Sequence, residues 1–180
     1  MSNSANTPDD LDRFKDLFDQ YKNLVFKVAF LILGDKHEAE DTLQEVFIQV
    51  YRSLHTYNPQ KGAFTTWLYR ITVNQSMKHK RKQRVIVVPL DDLTTTCSSL
   101  SVSGMDEIAD SEQIRQAIKR LCDQQRTVLI LRYFSELSYE EISRILEVPI
   151  GTVKSRLARA IKALQRELSD GHFTGSRETE

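Results

Sequence analysis

Residues 138–168 restrict the fold of this chain more than any other stretch, because two helical patterns follow one another there with a proline between them. Ser138 and Glu141 have the spacing of a capping box, which predicts where the first helix begins. Pro149 lacks an amide proton and restricts the residue before it, so the first helix is predicted to end ahead of it. This first pattern places its apolar residues on one helix face, at Tyr139, Ile142, Ile145 and Leu146.

The second pattern predicts a longer amphipathic helix whose basic residues share one side. Between Ile150 and Leu168 it contains five bases and one acid. Its apolar stripe comprises Val153, Leu157, Ala160, Ile161, Leu164 and Leu168. At about 100° per residue, the opposite side carries Ser155, Arg159, Lys162 and Arg166, flanked by Lys154 and Arg156. A short helix, a turn and a basic helix in this order indicate a helix-turn-helix, whose second helix enters the DNA major groove.

A solvated surface helix would also have a charged outer face, but it would not need a short helix and a turn before it. The helix-turn-helix is therefore the favoured interpretation. Glu147 occupies the turn position where this motif often has glycine. A left-handed conformation at this non-glycine residue costs about 1 kcal/mol, which the fold can tolerate.

The chain has 25 basic and 25 acidic residues among 180, so its composition alone does not indicate a nucleic-acid-binding protein. The positive charge is local, since residues 61–84 hold seven bases and no acid. Two cysteines and four histidines are scattered without zinc-ligand spacing. No P-loop, glycine-rich phosphate cradle or nucleophile–base arrangement stands out either. We therefore predict no metal, no cofactor and no catalytic residue.

Targeting signals are also missing from the sequence pattern. No apolar run reaches the roughly 18 residues of a membrane span, and the polar, acidic N-terminus does not have the character of a signal peptide. Two cysteines in a chain of this length fit a reducing compartment. We expect a cytoplasmic protein with no direct membrane insertion.

Helical periodicity predicts an all-α fold, with two small helical domains joined by a flexible linker. Residues 1–84 form an N-terminal domain, and residues 111–168 form a C-terminal domain that contains the helix-turn-helix. Residues 85–110 break the helical pattern and are predicted to be the linker, although VIVV at their start also fits a lone strand. Residues 169–180 are expected to be a flexible tail.

Seven helices are predicted in these two domains. The N-terminal helices run over 11–33, from Asp35 to about Leu54, and from about Ala63 into the basic stretch that follows, and they bury a shared core. The C-terminal helices cover about 111–121, 124–135, 138–146 and 150–168. Asp35 and Glu38 have the spacing that caps the second helix.

The segment from Phe64 to Lys82 is rich in aromatic and basic residues and fits contact with single-stranded DNA. Aromatic side chains stack on unpaired bases, and basic side chains follow the backbone. Trp67 lies close to the apolar face of its helix and fits the hydrophobic core equally well. Arg70 and Asn74 sit at the edge of that face and are better placed to meet nucleic acid. Five bases within Lys78–Arg84 favour phosphate contact over a merely solubilising helix end.

The second helix has a polar face made of Glu38, Asp41, Gln44, Glu45 and Gln49. Such a face is usually just solvated. On a protein whose other faces are basic, an acidic and polar surface also fits the docking of a protein partner.

Three segments together closely resemble the bacterial sigma factors of the extracytoplasmic-function class. They are HEAEDTLQEVFIQVY at 37–51, FTTWLYRITVNQ at 64–75, and LSYEEISRILEVPIGTVKSRLARA at 137–160. They occur in the order and spacing of the family, and with the intervening helices the resemblance covers about residues 11–168. The family usually has alanine where this chain has Ser143, a difference from which we expect little effect.

The resemblance implies a role for each part of the chain. The first domain would bind and help open the −10 promoter element through Asn58, Lys61, Trp67, Arg70, Asn74, Lys78 and Arg81, with the loop from His55 to Gly62 holding an extruded base. The polar helix face would dock on the clamp of core RNA polymerase through Asp41, Gln44, Glu45 and Phe47. The second domain would read the −35 element through Thr152, Lys154, Ser155, Arg156, Arg159 and Lys162.

The resemblance also implies partners. They are core RNA polymerase, promoter DNA and an anti-sigma factor, which in this family is often membrane-bound. The runner-up hypothesis is a helix-turn-helix transcriptional activator with an N-terminal partner-binding bundle. The residues alone support DNA binding, and only the family resemblance supplies the polymerase.

Overall fold

A computed structural model describes residues 8–86 and 112–173 of the chain. Throughout these two ranges the regular structure is helical, and no strand occurs in either, which confirms the predicted all-α class. The chain divides into two compact units, Met1–Val87 and Val88–Glu180. We call them the N-terminal unit and the C-terminal unit.

Three helices form the N-terminal unit: α1 (Pro8–Leu33), α2 (Lys36–Ser53) and α3 (Phe64–Ile86). Each packs against the other two. Gly34 ends α1 in a left-handed conformation (φ 80°), and its amide donates to the Phe30 carbonyl oxygen at 2.8 Å. Between α2 and α3, the predicted loop contains two 3₁₀ turns, Leu54–Thr56 and Pro59–Lys61.

The core of the N-terminal unit has aliphatic residues and Phe47 at its centre, and further aromatic residues lie around them. Fully buried side chains from all three helices meet there, namely Val25, Val46, Phe47, Val50 and Leu68. Partly buried residues pack around this centre, and they include Phe14, Phe18, Tyr21, Phe64 and Trp67. This core is what the three predicted helices were expected to share.

Four helices form the C-terminal unit: α4 (Glu112–Arg120), α5 (Asp123–Tyr133), α6 (Tyr139–Leu146) and α7 (Ile150–Phe173). The last helix packs against the other three. Its fully buried residues, Val153, Leu157 and Ala160, belong to the predicted apolar stripe. The interior of the unit is completed by Val128–Leu131 of α5 and by Ile142 and Ile145 of α6.

Two helices extend across a predicted domain boundary, whereas the other helix ends lie within three residues of the predicted ones. Val85 and Ile86, which were assigned to the linker, are the last residues of α3, and the remainder of the predicted linker up to residue 111 lies outside the described residues. Helix α7 continues past Leu168 to Phe173, so the residues just after the predicted end are helical. Residues 174–180 of the predicted tail lie outside the described residues.

Candidate nucleic-acid and docking surfaces

The turn between α6 and α7 fixes where α7 begins. Glu147, at the turn position where this motif often has glycine, adopts the left-handed conformation (φ 54°, ψ 42°). Its backbone amide donates to the Ser143 carbonyl oxygen, and so does the Val148 amide at 3.2 Å. The Ser143 hydroxyl donates in turn to the Val148 carbonyl oxygen at 2.6 Å. An alanine at position 143 would lack this bond, so the serine adds a tie across the turn that the sequence analysis did not anticipate.

The start of α6 is held by a complete capping box. The Glu141 amide donates to the Ser138 hydroxyl oxygen at 3.2 Å, and the Glu141 carboxylate accepts from the Ser138 amide at 2.8 Å and from its hydroxyl at 2.7 Å. These bonds favour the charged carboxylate and hold the pKa of Glu141 below its ordinary value. The predicted capping box is confirmed.

The side of α7 away from the core carries the candidate DNA-contacting residues. Lys154, Arg159 and Lys162 are exposed, while Thr152, Ser155 and Arg156 are half-buried at the margins. The Ser155 hydroxyl donates to the Thr152 carbonyl oxygen at 3.0 Å. The predicted orientation of α7, with its apolar stripe inward and its basic side outward, is confirmed.

Arg126 of α5 is a structural residue that the sequence analysis missed. Although charged, it is buried, and its guanidinium donates to the carbonyl oxygens of Ile118, Lys119 and Leu121. These carbonyls lie at the end of α4, where helix backbone acceptors have no intrahelical partner and a cation is favoured. Its sequence neighbours are Gln125 and Thr127, so no local pattern marks this arginine as facing inward.

Asn58, Arg70, Asn74, Lys78 and Arg81 are the exposed members of the predicted −10 set. The Asn58 side chain accepts from the Gln60 amide at 2.9 Å and so caps the second 3₁₀ turn. The Arg81 Nε donates to the Met77 carbonyl oxygen at 3.3 Å. The side chain of Lys61 lies outside the described residues.

Trp67 packs in the hydrophobic core, as the alternative to stacking on unpaired bases predicted. It is half-buried and packs against the hydrophobic centre of the N-terminal unit. Its ring lies 5.5 Å from that of Phe64 and 5.7 Å from that of Tyr57, measured between centroids. The Tyr57 hydroxyl donates to the Gly62 carbonyl oxygen at 3.2 Å and thereby closes the loop between α2 and α3. The aromatic cluster therefore supports the loop and leaves only part of the Trp67 ring for any ligand.

The outer face of α2 carries Asp41 and Gln44, which are exposed, and Glu45, which is half-buried. Phe47, predicted for the same face, is instead 4% exposed and lies in the core, with its ring 4.8 Å from that of Phe18 and 6.2 Å from that of Phe14. Its expected direct contact with a partner is thus not supported, because its side chain points into the unit. The helical stripe that contains Val46 and Val50 already signalled this burial.

Ile48 is the surface residue that the sequence analysis overlooked. It is 51% exposed, and it lies four residues after Gln44 and seven after Asp41, on the same side of α2. An exposed isoleucine among polar residues gives this face an apolar centre. The spacing could have revealed it, because Ile48 falls outside the predicted apolar stripe.

Glu45 connects the α2 face to α3. Its carboxylate lies 3.2 Å from His79 Nε2 and 4.0 Å from Lys78 Nζ. Nearby on α2, burial and the carboxylate of Asp35 raise the pKa of Glu38 above its ordinary value. Two residues predicted for different ligands, Glu45 for polymerase and Lys78 for DNA, are therefore neighbours across two helices.

No cluster of metal-ligating side chains occurs within the described ranges, and none of their helices is long and apolar enough to cross a membrane.

Comparison with known families assigns both units. Residues 17–85 match the family model described as Sigma-70 region 2, and residues 111–164 match the one described as Sigma-70, region 4. The chain is similar to the ECF RNA polymerase sigma factor SigW of Bacillus subtilis, with 37% identity over 172 residues that cover 89% of this chain and 91% of SigW. It is also similar to the RNA polymerase sigma-H factor of Pseudomonas aeruginosa, with 33% identity over 164 residues, 83% of this chain and 82% of that protein.

Two solved structures share the fold. One is the sigma factor RpoE in complex with the anti-sigma factor NepR from Bartonella quintana, with a TM-score of 0.67, 23% identity, and coverage of 87% of this chain and 97% of that one. The other is CnrH in complex with the cytosolic domain of CnrY, with a TM-score of 0.61, 18% identity, and coverage of 87% and 88%.

Proposed function

The chain belongs to the extracytoplasmic-function sigma factors of the sigma-70 family, and from this membership we propose how its surfaces divide the work of transcription initiation. The C-terminal unit reads the −35 element, the N-terminal unit binds and helps to open the −10 element, and α2 docks on core RNA polymerase. The chain acts by binding and not by catalysis, and it works in the cytoplasm, where its polymerase partner is found.

The reading of the −35 element is supported by the orientation of α7. In a helix-turn-helix, the first residues of the second helix contact base edges in the major groove. On α7 these residues are Thr152, Lys154 and Ser155, and Arg159 follows one turn later on the exposed side. Arginine can donate two hydrogen bonds to guanine, the commonest specific base contact. The exposed basic side of α7 opposite a buried stripe is the observation that carries this proposal.

Binding to the −10 element is supported by the exposed polar side of α3 and by the loop before it. Arg70, Asn74 and Arg81 lie at the surface, where they can meet the backbone and bases of a separated strand. Trp67 contributes chiefly by packing behind the loop from His55 to Gly62, so we assign the loop, with Asn58 at its surface, to the extruded base. The aromatic core residues and the proposed DNA contacts therefore lie close together in the sequence, in the loop and in α3.

Docking on core polymerase is assigned to the outer face of α2, with Ile48 at its centre. An interface typically has an apolar or aromatic anchor surrounded by polar residues. Ile48 supplies the anchor, and Asp41, Gln44 and Glu45 supply the polar surroundings. Phe47 stabilises this face from beneath without belonging to it.

The last part of the proposal is that an anti-sigma factor regulates this chain. The two solved structures that share the fold were determined with an anti-sigma factor and with the cytosolic domain of CnrY. We assign this chain a protein inhibitor of the same kind, which covers its DNA-binding or polymerase-binding surfaces until a signal releases it. The inhibitor can be membrane-bound, since the chain itself needs no membrane contact for this role.

The proposal is tested by transcription with purified components. Core RNA polymerase, the full chain and a library of genomic DNA fragments are expected to give transcripts with defined start sites that core polymerase alone does not produce. Unchanged initiation on adding the protein would overturn the sigma-factor assignment. A helix-turn-helix activator would instead need a second sigma factor in the reaction, so that addition separates the two hypotheses.

Docking is tested with two surface variants. Ile48→Asp and Gln44→Ala are expected to weaken retention of core polymerase on the immobilised chain, Ile48→Asp more strongly because it puts a charge at the apolar centre. Gln20→Ala, the same substitution at an exposed position of α1 away from the α2 face, is the matched control. If Ile48→Asp retains core polymerase at the wild-type level, the assignment of the docking face to α2 is wrong. This measurement does not test the DNA-binding surfaces.

A further inference from the structure

One aromatic ring in the C-terminal unit has two cations over it. The guanidinium carbon of Arg132 lies 5.2 Å from the centroid of the Tyr139 ring, and the Lys154 ammonium lies 5.7 Å from it. Both distances fall within the roughly 6 Å at which the ring quadrupole attracts a cation. The three residues come from α5, α6 and α7, so the ring collects positive charge from two helices other than its own.

No ion pair in the described part of the chain balances the charge of the two cations. Within the described part of the chain, neither Arg132 nor Lys154 lies within ion-pair distance of a carboxylate. Glu141, two residues after Tyr139, has its carboxylate engaged by the Ser138 amide and hydroxyl. Two like charges gathered without a counter-charge repel each other, and binding of an anion relieves that repulsion.

The positions of the two cations are also restrained. The Arg132 Nη1 donates to the Leu137 carbonyl oxygen at 2.9 Å, which pins the guanidinium to the segment just ahead of α6. Lys154 is exposed on α7, two residues after Thr152. A lysine side chain free in solvent samples many rotamers, and the Tyr139 ring narrows that choice and reduces the entropy lost when the ammonium meets a ligand.

The anion follows from where the cluster lies. In a helix-turn-helix the first helix crosses the DNA backbone while the second enters the groove. Tyr139 is the first residue of α6, the first helix, and Lys154 is near the start of α7, the second. A cation pair between these two helix starts lies at the margin of the groove-reading surface, where backbone phosphates pass.

We propose that Tyr139 is a positioning residue, whose ring holds Arg132 and Lys154 together as a two-cation clamp for a phosphate of the DNA backbone beside the upstream promoter element. The inference rests on the proposed function of α7 and names a contact within it. The tyrosine acts through the two cations and needs no contact of its own with DNA. The clamp adds affinity and sets register, whereas Arg159 and its neighbours select the sequence.

The test measures binding of the full chain to two labelled 30-base-pair duplexes over a range of salt concentrations. One duplex is selected from a random pool by the wild-type protein, and the other is its scrambled version. Tyr139→Leu is expected to lower affinity about fivefold on both duplexes, the size of two weakened cation–π contacts at an exposed site. The slope of log K against log salt is expected to become shallower by up to about 2, as for the loss of two phosphate contacts.

Two controls separate the ring from other roles of the tyrosine. Tyr139→Phe keeps the ring and is expected to bind with wild-type affinity and salt slope. Tyr133→Leu removes another tyrosine of the same unit, 56% exposed, over whose ring no described cation lies, and it is expected to change neither quantity. Equal losses in Tyr139→Phe and Tyr139→Leu would assign the effect to the hydroxyl and overturn the clamp.

The remaining outcomes are equally decisive. An unchanged slope in Tyr139→Leu, or a loss confined to the selected duplex, would overturn the clamp. If Tyr139→Leu does not fold, as judged by circular dichroism, the double variant Arg132→Met, Lys154→Met keeps the ring and must show the shallower slope. Its failure to do so also overturns the clamp. Failure of the wild-type chain to prefer the selected duplex would instead count against the proposed function of α7.

Discussion

The two units use their amphipathic helices differently. Along α7 of the C-terminal unit, inward residues such as Leu157 are apolar and outward residues such as Arg159 are basic. Along α2 of the N-terminal unit, neighbouring apolar residues have opposite fates, since Phe47 is buried and Ile48 is half exposed. On α7, polarity alone distinguishes the buried residues from those proposed to contact DNA. On α2, polarity does not make this distinction, because the proposed docking face has an apolar residue at its centre.

The largest expected effects come from separating Phe47 from Ile48. Phe47→Ala should lower the free energy of unfolding of the N-terminal unit by roughly 3–5 kcal/mol, because it leaves a cavity among the α1 and α2 aromatics. Ile48→Ala should change it by less than about 0.5 kcal/mol, as for other surface substitutions. Urea denaturation of the full chain, followed by fluorescence of Trp67 in the N-terminal unit, measures both. Equal losses of unfolding free energy in the two variants would mean that Phe47 and Ile48 have the same environment, which would contradict the difference in burial between them.

A loss of about 3 kcal/mol is expected in the C-terminal unit when Arg126 is replaced by methionine. The substitution keeps an unbranched side chain but leaves the carbonyl oxygens of Ile118, Lys119 and Leu121 without their donor, and charged hydrogen bonds contribute about 1.5–3 kcal/mol each. The loss should be confined to the C-terminal unit, so that the Trp67 fluorescence transition keeps its midpoint while the helical circular dichroism shows an earlier phase. Full stability of the variant would mean that water replaces the guanidinium at no cost.

Arg159→Ala should weaken binding to the upstream element by roughly 1–3 kcal/mol, the value of one good base contact. Because Arg159 is exposed and opposite the buried stripe of α7, thermal unfolding should not change. Fluorescence titration with variants of the upstream element gives the affinity, and Arg166→Ala, two turns further along the exposed side, is the matched control. Undiminished affinity with Arg159→Ala would place the groove contacts elsewhere on the unit.

The sequence predicts the structural features that depend on local residue type and spacing. The Val153 and Leu157 stripe and the Ser138–Glu141 capping box are local consequences of residue type and spacing, and both are confirmed. The inward Arg126 was missed because its partners are carbonyls of another helix, which no periodicity reveals. The outward Ile48 was missed because only polar residues were considered for the outer face of α2. The contacts proposed for promoter DNA and polymerase stay predictions, since they depend on molecules whose shape the sequence does not contain.

The smallest expected effects concern two carboxylates at equivalent helix positions. Glu141 and Glu38 both lie three residues after a cap, but the Glu141 carboxylate accepts from the Ser138 amide and hydroxyl, whereas the Glu38 neighbour is the carboxylate of Asp35. The serine lowers the pKa of Glu141, while burial and Asp35 raise that of Glu38. The stabilisation from Glu141 is present above its ordinary pKa and is lost as the pH falls through the lowered value, whereas that from Glu38 is present below its ordinary pKa and is lost as the pH rises through the raised value.

Acidification should therefore weaken the C-terminal unit through Glu141 while it favours the N-terminal unit through Glu38. Chemical denaturation between about pH 3 and pH 6 measures the two trends, and Ser138→Ala should flatten the first, besides costing about 1 kcal/mol of helix capping. A Ser138→Ala protein with the wild-type pH dependence would show that the Ser138 hydroxyl does not contribute to the lowered pKa of Glu141, since the amide at position 138 remains as a donor.

Two left-handed residues, Glu136 in the turn before α6 and Glu147 directly after α6, have a consequence for how this protein can evolve. Glu136 and Glu147 adopt φ values of 55° and 54°, and each costs the fold on the order of 1 kcal/mol relative to glycine. The unit thus contains two positions at which one substitution can recover stability without touching the basic side of α7. A new promoter preference that requires a destabilising residue on α7 can be compensated there. The turns on either side of α6 therefore also provide sites where a second mutation can restore the stability of the C-terminal unit.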